Sequence, residues 1–134
     1  MMKLSLKTAL YEAVLRHLES MLPNEGCGLL AGATGWARVY YPIDNVAHSR
    51  TRYAMDARQL VEAILDIDER GLEMLAICHS HPAGPAHPSP TDVAHAHYPD
   101  ALHLIVSFAD RSHPGAGLFR IVNGTIEAAI LDIV

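Results

Sequence analysis

The feature that most constrains this chain is a largely apolar run that leads directly into two closely spaced histidines. Residues 72–78 form the run, and the segment His79-Ser80-His81-Pro82 follows it without a gap. A short apolar run that begins after a glycine and ends at a proline-containing loop is typical of a buried strand. Because side chains alternate along a strand, His79 and His81 should project to the same side. The sequence therefore predicts a strand that ends in a pair of imidazoles.

A carboxylate follows this pair after a short loop. The loop 82–88 contains three prolines and a glycine, and Ser89 and Pro90 come directly after it. Serine at the N-cap and proline at the first helical position predict a short helix over 90–97. This helix would carry Asp92 to the end of the strand. Two histidines and one aspartate form the ligand set of an open metal site, in which a fourth position is left for water.

This set of donors suits zinc better than magnesium or calcium, because two of the three ligands are neutral imidazoles. Zinc bound in this way would lower the pKa of its water toward ~7 and would polarise a substrate carbonyl. A general base would still be needed to move the protons. Nine histidines in the chain, five of them within residues 79–97, also indicate a metal or proton-transfer site.

The composition excludes several classes of function. With 134 residues, half of them hydrophobic, the chain is predicted to form one domain over residues 1–134 with a sizeable core. A net charge of −5 without a lysine or arginine cluster argues against nucleic acid as a partner. No apolar run approaches the ~18 residues that would span a membrane. Only two cysteines are present, which predicts a reduced protein of the cytoplasm.

Hydrophobic periodicity predicts a mixed sheet flanked by helices, and therefore an α/β fold. Thr8 and Asp56 are the expected N-caps of the first two helices, and Asn123-Gly124 is the expected turn of a hairpin. The predicted strands cover residues 3–7, 25–32, 36–43, 72–78, 102–108, 118–122 and 125–134, and the predicted helices cover residues 8–22, 56–70 and 90–97.

The motif His-x-His-Pro-x(5)-Pro-Ser-x-x-Asp, with a glutamate upstream, resembles the signature of the JAMM (MPN-plus) zinc metalloisopeptidases. The chain matches this signature without a gap from His79 to Asp92. The upstream glutamate would be Glu25, which lies in the segment Asn24-Glu25-Gly26-Cys27-Gly28-Leu29-Leu30 after the first helix. This segment is most similar to the compact prokaryotic branch of the family.

The resemblance implies a cytidine-deaminase-like α/β fold and a role for each motif residue. His79, His81 and Asp92 would bind zinc, Glu25 would be the general base and acid, and Ser89 would stabilise the oxyanion. The reaction would be hydrolysis of a peptide or isopeptide bond after the C-terminal glycine of a ubiquitin-like protein. The short chain has no room for the insertions with which eukaryotic members hold two ubiquitins. A small sulfur carrier that ends in Gly-Gly is therefore the expected substrate class.

Each of these side chains also has a purely structural interpretation. Asp92 at the third helical position could complete a capping box with Ser89, and Ser89 could serve only as the N-cap. Those two roles of Ser89 would compete for one hydroxyl group. Glu25 could be an acid at a helix terminus, although a strand-borne glutamate among glycines and apolar residues needs a partner.

The two cysteines and the other histidines lie outside the predicted ligand set. Alternation turns Cys78 away from the metal, whereas Cys27 could face the site. His95 could lie behind the ligands, but it and His97 are expected on a solvated face, and His87 has no assigned role. Two alternative functions stay open, a non-catalytic scaffold subunit and a zinc peptidase for a small amino-acid adduct or a cell-wall peptide. The apolar C-terminal strand through Val134 could be a free sheet edge that pairs two copies in a homodimer.

Overall fold

The computed structural model describes residues 2–134 as a mixed β-sheet with helices packed on both of its faces. This architecture confirms the α/β class and the mixed sheet flanked by helices. The strands are β1 (Lys3–Leu6), β2 (Cys27–Ala33), β3 (Trp36–Ile43), β4 (Glu73–His81), β5 (Leu102–Ser107), β6 (Gly115–Val122), β7 (Thr125–Ala128) and β8 (Ile130–Ile133), and the helices are α1 (Thr8–Ser20), α2 (Ala57–Glu69) and α3 (Pro90–Ala94).

The eight strands lie in the order β7-β6-β5-β4-β2-β3-β1-β8. Strand β4 lies near the centre, antiparallel to β2 and parallel to β5. Its register places Cys27 of β2 and Ile105 of β5 on either side of His79. The carboxyl end of β4 therefore lies within the sheet, with a paired strand on each side.

Two apolar clusters show how the sheet separates the helices. Ala76 and Cys78 of β4 belong to the cluster that contains α1 residues, whereas Ile77 belongs to the cluster that contains α2 residues. Alternation along β4 then assigns His79 and His81 to the α2 side of the sheet. The prediction that Cys78 points away from the histidines is confirmed. The histidine pair consequently opens on the same side as α2.

The predicted single strand over 125–134 is wrong, because the chain changes partners at Ala129. Before this residue β7 pairs with β6, and after it β8 pairs with β1 at the opposite end of the strand order. The amide of Ala129 donates to Leu118 O at 2.8 Å, and the amide of Ile130 donates to Met2 O at 2.8 Å. The sheet is therefore curled, because β7 and β8 are its two outer strands and a single residue, Ala129, joins them. Alternation of side chains continues through such a switch, so the sequence pattern does not reveal it.

The helix boundaries correct two further predictions. Lys7 is the N-cap of α1 and makes no side-chain cap, while the hydroxyl of Thr8 donates to Val134 O at 3.2 Å. The hydroxyl that was expected to cap the helix therefore bonds to the carbonyl of Val134 instead.

The predicted cap at Asp56 is confirmed, because its carboxylate accepts from the Gln59 amide at 2.9 Å. Helix α3 ends at Ala94 and is shorter than predicted. The predicted turn at Asn123-Gly124 is confirmed, with positive φ at both residues.

Across residues 2–134, none of the helices has the length and apolar character needed to cross a bilayer.

Candidate active site

The two motif histidines lie at the end of β4, which extends through His81 and not only to Cys78 as predicted. Both side chains are buried, with exposed fractions of 1% for His79 and 7% for His81. Their Nε2 atoms lie 3.1 Å apart. The Nδ1 of His81 lies 2.7 Å from Pro85 O, so the backbone of the following loop orients this ring. The ring of His79 is covered by Tyr53, with ring centroids 4.7 Å apart.

Asp92 completes the cluster from the first turn of α3. Its Oδ2 lies 3.2 Å from Nε2 of His79 and 2.9 Å from Nε2 of His81. The same oxygen accepts a hydrogen bond from the Ser89 amide at 2.9 Å, which forms half of a capping box. The two interpretations of Asp92 are therefore not exclusive. The helix cap fixes the carboxylate in the position where it faces both imidazoles.

The three donors fit a single zinc ion. Ligand atoms about 2.0–2.1 Å from a tetrahedral zinc lie roughly 3.3 Å from one another, and the observed separations of 2.9–3.2 Å are close to this spacing. The set consists of two imidazole nitrogens and one carboxylate oxygen, all buried. Two imidazole nitrogens that face each other at 3.1 Å need a proton or a cation between them. His79, His81 and Asp92 are thus the residues that could hold a metal ion here.

The charges of the cluster follow from its burial and its hydrogen bonds. Burial lowers the pKa of His79. Burial would also lower the pKa of His81, but hydrogen bonds to Asp92 and to the carbonyl of Pro85 raise it above its ordinary value. Burial would raise the pKa of Asp92, yet the hydrogen bonds from both histidines hold it well below its usual range. Asp92 is therefore an anion that attracts positive charge to the space between the rings.

Glu25 lies beside this cluster, but not on a strand as predicted. Strand β2 begins at Cys27, because the Glu25 amide donates to Ser49 O of a loop at 2.9 Å instead of to a neighbouring strand. The Glu25 side chain is 2% exposed, and its Oε1 has no hydrogen-bond partner within the described residues. Burial raises the pKa of this carboxyl group to about 7, against the opposing influence of His81. A buried carboxyl group with a free oxygen is suited to accept and return a proton.

Two buried side chains fix the backbone around Glu25. The Asn45 amide group donates to Glu25 O at 3.0 Å and to Arg52 O at 3.1 Å. Its carbonyl oxygen accepts from the amides of Ala47 and Ala54, each at 3.0 Å. Ser80, between the two histidines, accepts from the Gly26 amide at 2.8 Å. The residues around the predicted base are thus tied both to β4 and to the loop after β3.

Ser89 occupies both the N-cap of α3 and the rim of the site. Its Oγ accepts a hydrogen bond from the Asp92 amide at 3.1 Å. A serine hydroxyl carries one proton and two lone pairs, so this bond leaves the proton free to be donated. The expectation that the two roles of Ser89 compete is therefore wrong. The cap uses an acceptor, whereas stabilisation of an oxyanion would use the donor.

Two cavities flank the cluster. One, of about 330 Å³, lies on the Asp92 side. The other, of about 420 Å³, lies on the His81 side and has Glu25 and Ser89 in its wall, and both linings are mainly apolar. The first is lined by Arg52, Tyr53, Met55, Leu60, Ile77, Thr91, Asp92, His95, His97, Tyr98 and His103.

The remaining candidates lie outside the ligand set. The Cys27 thiol donates to Ile43 O at 3.4 Å, and burial raises its pKa to about 12, so it stays protonated. His95 and His97 are exposed, as predicted for a solvated face, although both line the 330 Å³ cavity. His87 packs its ring against Phe119, with centroids 5.2 Å apart.

Three groups near the cluster are not predicted from the sequence: the partly buried ring of Tyr53, the buried amide of Asn45 and the buried imidazole of His103. His103 lines the 330 Å³ cavity, its Nε2 has no hydrogen-bond partner within residues 2–134, and burial lowers its pKa to about 4. None of the three stands in a recognisable motif. They are identified only by their closeness to the end of β4 in the folded protein, which the sequence does not give.

The chain is similar to known proteins in both sequence and fold. A "CysO-cysteine peptidase" of Mycobacterium tuberculosis is 32% identical over 133 residues, which cover 98% of this chain and 91% of that protein. A "probable TtuB-protein conjugate cleaving protease" of Thermus thermophilus is 43% identical over 90 residues, or 66% of this chain and 60% of that protein. The crystal structure of a JAB1/MPN domain protein from Archaeoglobus fulgidus superposes with a TM-score of 0.64 at 18% identity, covering 96% and 99% of the two chains.

The fold is that of a JAB1/MPN domain, and it carries a buried His-His-Asp group at the end of a central strand. Within this class, residues 7–119 match the family model "Prokaryotic homologs of the JAB domain", and the chain belongs to that family. The resemblance to the compact prokaryotic branch of the JAMM/MPN proteins is thereby confirmed.

Proposed function

We propose that residues 1–134 form a zinc-dependent metallopeptidase domain. It hydrolyses the peptide or isopeptide bond after the C-terminal glycine of a ubiquitin-like sulfur-carrier conjugate. The observation that carries this proposal is the buried cluster of His79, His81 and Asp92 beside Glu25, a carboxyl group with an unpartnered oxygen. Three ligands on one side of an ion leave room for water, which distinguishes a catalytic site from a closed structural site.

The side chains divide the chemistry among themselves. Zinc held by His79, His81 and Asp92 would supply a water molecule of lowered pKa and would polarise the scissile carbonyl. Glu25 takes a proton from the attacking water and delivers it to the leaving amine, for which a pKa near neutrality is suitable. The hydroxyl of Ser89 donates to the carbonyl oxygen as negative charge develops there. The backbone bonds of Asn45 and Ser80 hold Glu25 in position during these transfers.

The substrate class is supported by the relatives. The two named proteins act, by their descriptions, on a CysO-cysteine adduct and on conjugates of TtuB. Both the tail of a carrier protein and the group attached to it need space at the reacting centre, and the two cavities provide it. Both cysteines are buried and free, which fits work in a reducing compartment such as the cytoplasm.

A scaffold function is the alternative from a different class. In that case the buried polar cluster would only stabilise the fold and would not bind a metal ion or a substrate. Three ionisable side chains in a site with two open cavities are costly to bury without a ligand. The intact set of His79, His81, Asp92 and Glu25 therefore favours catalysis.

The proposal predicts about one bound zinc ion per chain and cleavage of a carrier conjugate. The protein is purified without chelator, and its zinc content is measured by elemental analysis. Cleavage of a ubiquitin-like sulfur carrier joined through its Gly-Gly tail is followed by mass spectrometry, before and after removal of metal by a chelator. Restoration of activity by added zinc is expected. A protein that takes up no zinc on titration would contradict the metal assignment, and a zinc-loaded protein that cleaves no such conjugate would contradict the substrate class.

Substitution of Ser89 should separate its two roles. Ser89→Ala should lower the free energy of unfolding by about 1 kcal/mol through loss of the cap. It should also lower kcat about 10²–10³-fold through loss of an oxyanion donor. Ser89→Asp retains an oxygen for the cap but places negative charge where the oxyanion forms. We expect this variant to be folded, loaded with zinc and nearly inactive. Substantial turnover by folded Ser89→Asp would leave Ser89 with the role of a helix cap alone.

A further inference from the structure

The two cavities beside the cluster are not equivalent, because only one of them contains the proton donor. Glu25 lines the 420 Å³ cavity together with His81 and Ser89, and it does not line the 330 Å³ cavity. The leaving amine must receive its proton from Glu25, so it must leave on the side that Glu25 faces. The 420 Å³ cavity is therefore the leaving-group cavity, and the 330 Å³ cavity is left for the acyl side of the substrate.

One permanently charged side chain lines the leaving-group cavity. Arg50 lines it beside Thr51, and no other lysine or arginine does. Within residues 2–134 Arg50 makes no ion pair, and its side chain is exposed. The carboxyl group of Glu25 lines the same space, which makes it unfavourable for a further anion unless a cation compensates. An unpaired guanidinium at this position is available for that purpose.

We propose that Arg50 binds the α-carboxylate of a leaving group that is a single amino acid, joined to the carrier tail through its α-amino group. The proposal rests on the proposed function and specifies its leaving group. In such an adduct the carboxylate carbon is two bonds, or about 2.5 Å, from the nitrogen that Glu25 protonates. A lysine side chain of a conjugated protein presents only methylene groups at this distance. A guanidinium pairs with a carboxylate through two parallel hydrogen bonds, so Arg50 would distinguish the two kinds of leaving group.

The backbone places Arg50 in a fixed relation to the reacting centre. The preceding residue, Ser49, accepts the hydrogen bond from the Glu25 amide at 2.9 Å. On the other side, Asn45 donates to the carbonyl of Arg52 at 3.1 Å and to that of Glu25 at 3.0 Å. The residues that flank Arg50 are thus bonded to the general base or to the amide that holds it. The backbone that carries the cation is therefore bonded to the backbone of the proton donor, so one amino acid could present its amine to Glu25 and its carboxylate to Arg50.

The cavity also has a size that suits a small leaving group. Its volume of about 420 Å³ is at the lower end of the range of roughly 300–1,000 Å³ that is usual for small-molecule sites. Its far wall is the loop 82–90, which contributes Pro82, Pro85, Pro88 and Pro90. The loop is held by the Ser107 hydroxyl, which donates to Gly84 O at 2.6 Å. This wall bounds the cavity on one side, and Arg50, Thr51, Pro82 and Ala83 also line a neighbouring cavity of about 650 Å³.

Two conjugates of one ubiquitin-like sulfur carrier test the proposal. In the first the terminal glycine is joined to the α-amino group of alanine as the free acid, and in the second it is joined to alaninamide, which lacks the negative charge. We expect the zinc-loaded wild-type protein to cleave the acid with a kcat/KM roughly 10- to 100-fold above that for the amide, the usual range for a charged hydrogen bond. Arg50→Gln should remove most of this preference, and Arg50→Lys should restore part of it.

Arg52→Gln is the control. It removes the same charge two residues further along the loop, where the side chain lines the other cavity. This variant should keep the preference for the acid. A readout that does not depend on turnover is the Kd of each conjugate for zinc-loaded Glu25→Gln with and without Arg50→Gln. Equal cleavage of acid and amide by the wild-type protein would overturn the role of Arg50 while leaving the peptidase intact. Cleavage of neither conjugate by zinc-loaded protein would overturn the proposed function, and this inference with it.

Discussion

Replacement of Asp92 by alanine should leave the protein without bound zinc and without peptidase activity. The carboxylate is the only anionic donor of the cluster, and its Oδ2 lies within 3.2 Å of both imidazole nitrogens. Loss of this oxygen also removes the bond to the Ser89 amide, which should lower the free energy of unfolding by about 1 kcal/mol. Zinc content by elemental analysis and the midpoint of thermal unfolding would measure the two effects.

Asp92→Asn is the matched control for the helix cap. Its amide oxygen can still accept from the Ser89 backbone, so the stability of α3 should be retained, but the anionic ligand is lost. We expect near-wild-type stability of the metal-free protein together with greatly weakened zinc binding. His79→Ala should likewise lose metal and activity, since it removes a ligand without touching the capping box. If Asp92→Ala retained one tightly bound zinc ion per chain, Asp92 would be only a capping residue.

Replacement of Glu25 by glutamine should abolish turnover and leave the metal in place. The substitution keeps the shape of the side chain but removes its ability to accept a proton, so kcat should fall by about 10²–10⁴-fold. Zinc content should be unchanged, because Glu25 is not part of the His79, His81 and Asp92 set. Glu25 is buried with a pKa raised to about 7, so a neutral amide there should not lower the free energy of unfolding at neutral pH.

The measurement pairs kcat with elemental analysis on the same preparation. Glu12→Gln makes the same chemical change at an exposed position of α1 and serves as the control for the loss of one negative charge. A Glu25→Gln variant with near-wild-type kcat would show that another group moves the proton. A variant that lost its zinc would show instead that Glu25 helps to hold the metal.

Much of the fold could be predicted because its signals are local. The α2 cap at Asp56, the turn at Asn123-Gly124 and the cap of α3 each depend on residues within a few positions of one another, and each is confirmed. The closeness of His79, His81 and Asp92 could also be predicted, because strand alternation and a short capped helix are enough to bring them together. What failed depends on distant partners. The hydroxyl of Thr8 is taken by the C-terminus, and the chain changes strands at Ala129.

The site shows the same division between local and distant information. The motif predicts the residues that could bind a metal ion, but not the residues that hold them in position. Tyr53 covers His79, and Asn45 bonds to Glu25 and to the loop that carries Arg50, although all of these lie far from residues 79–92 in the chain. A lone asparagine or tyrosine between β3 and α2 has many ordinary explanations. Only the three-dimensional structure shows that its contacts converge on the reacting centre.

The curled sheet has a consequence for how the molecule assembles during folding. The strands that form the site, β2, β4 and β5, lie between residues 27 and 107, whereas β1 and β8 pair residues as far apart as Lys3 and Ile130. Contacts between positions so distant in the chain require the largest loop to close, and they form slowly unless intervening structure has already brought the ends near. The pairing of β1 with β8 should therefore come after the central strands have paired, because it requires residues 130–133 to have left the ribosome. Until then, the central strands can bring His79, His81 and Asp92 together while the two outer edges of the sheet are still apart.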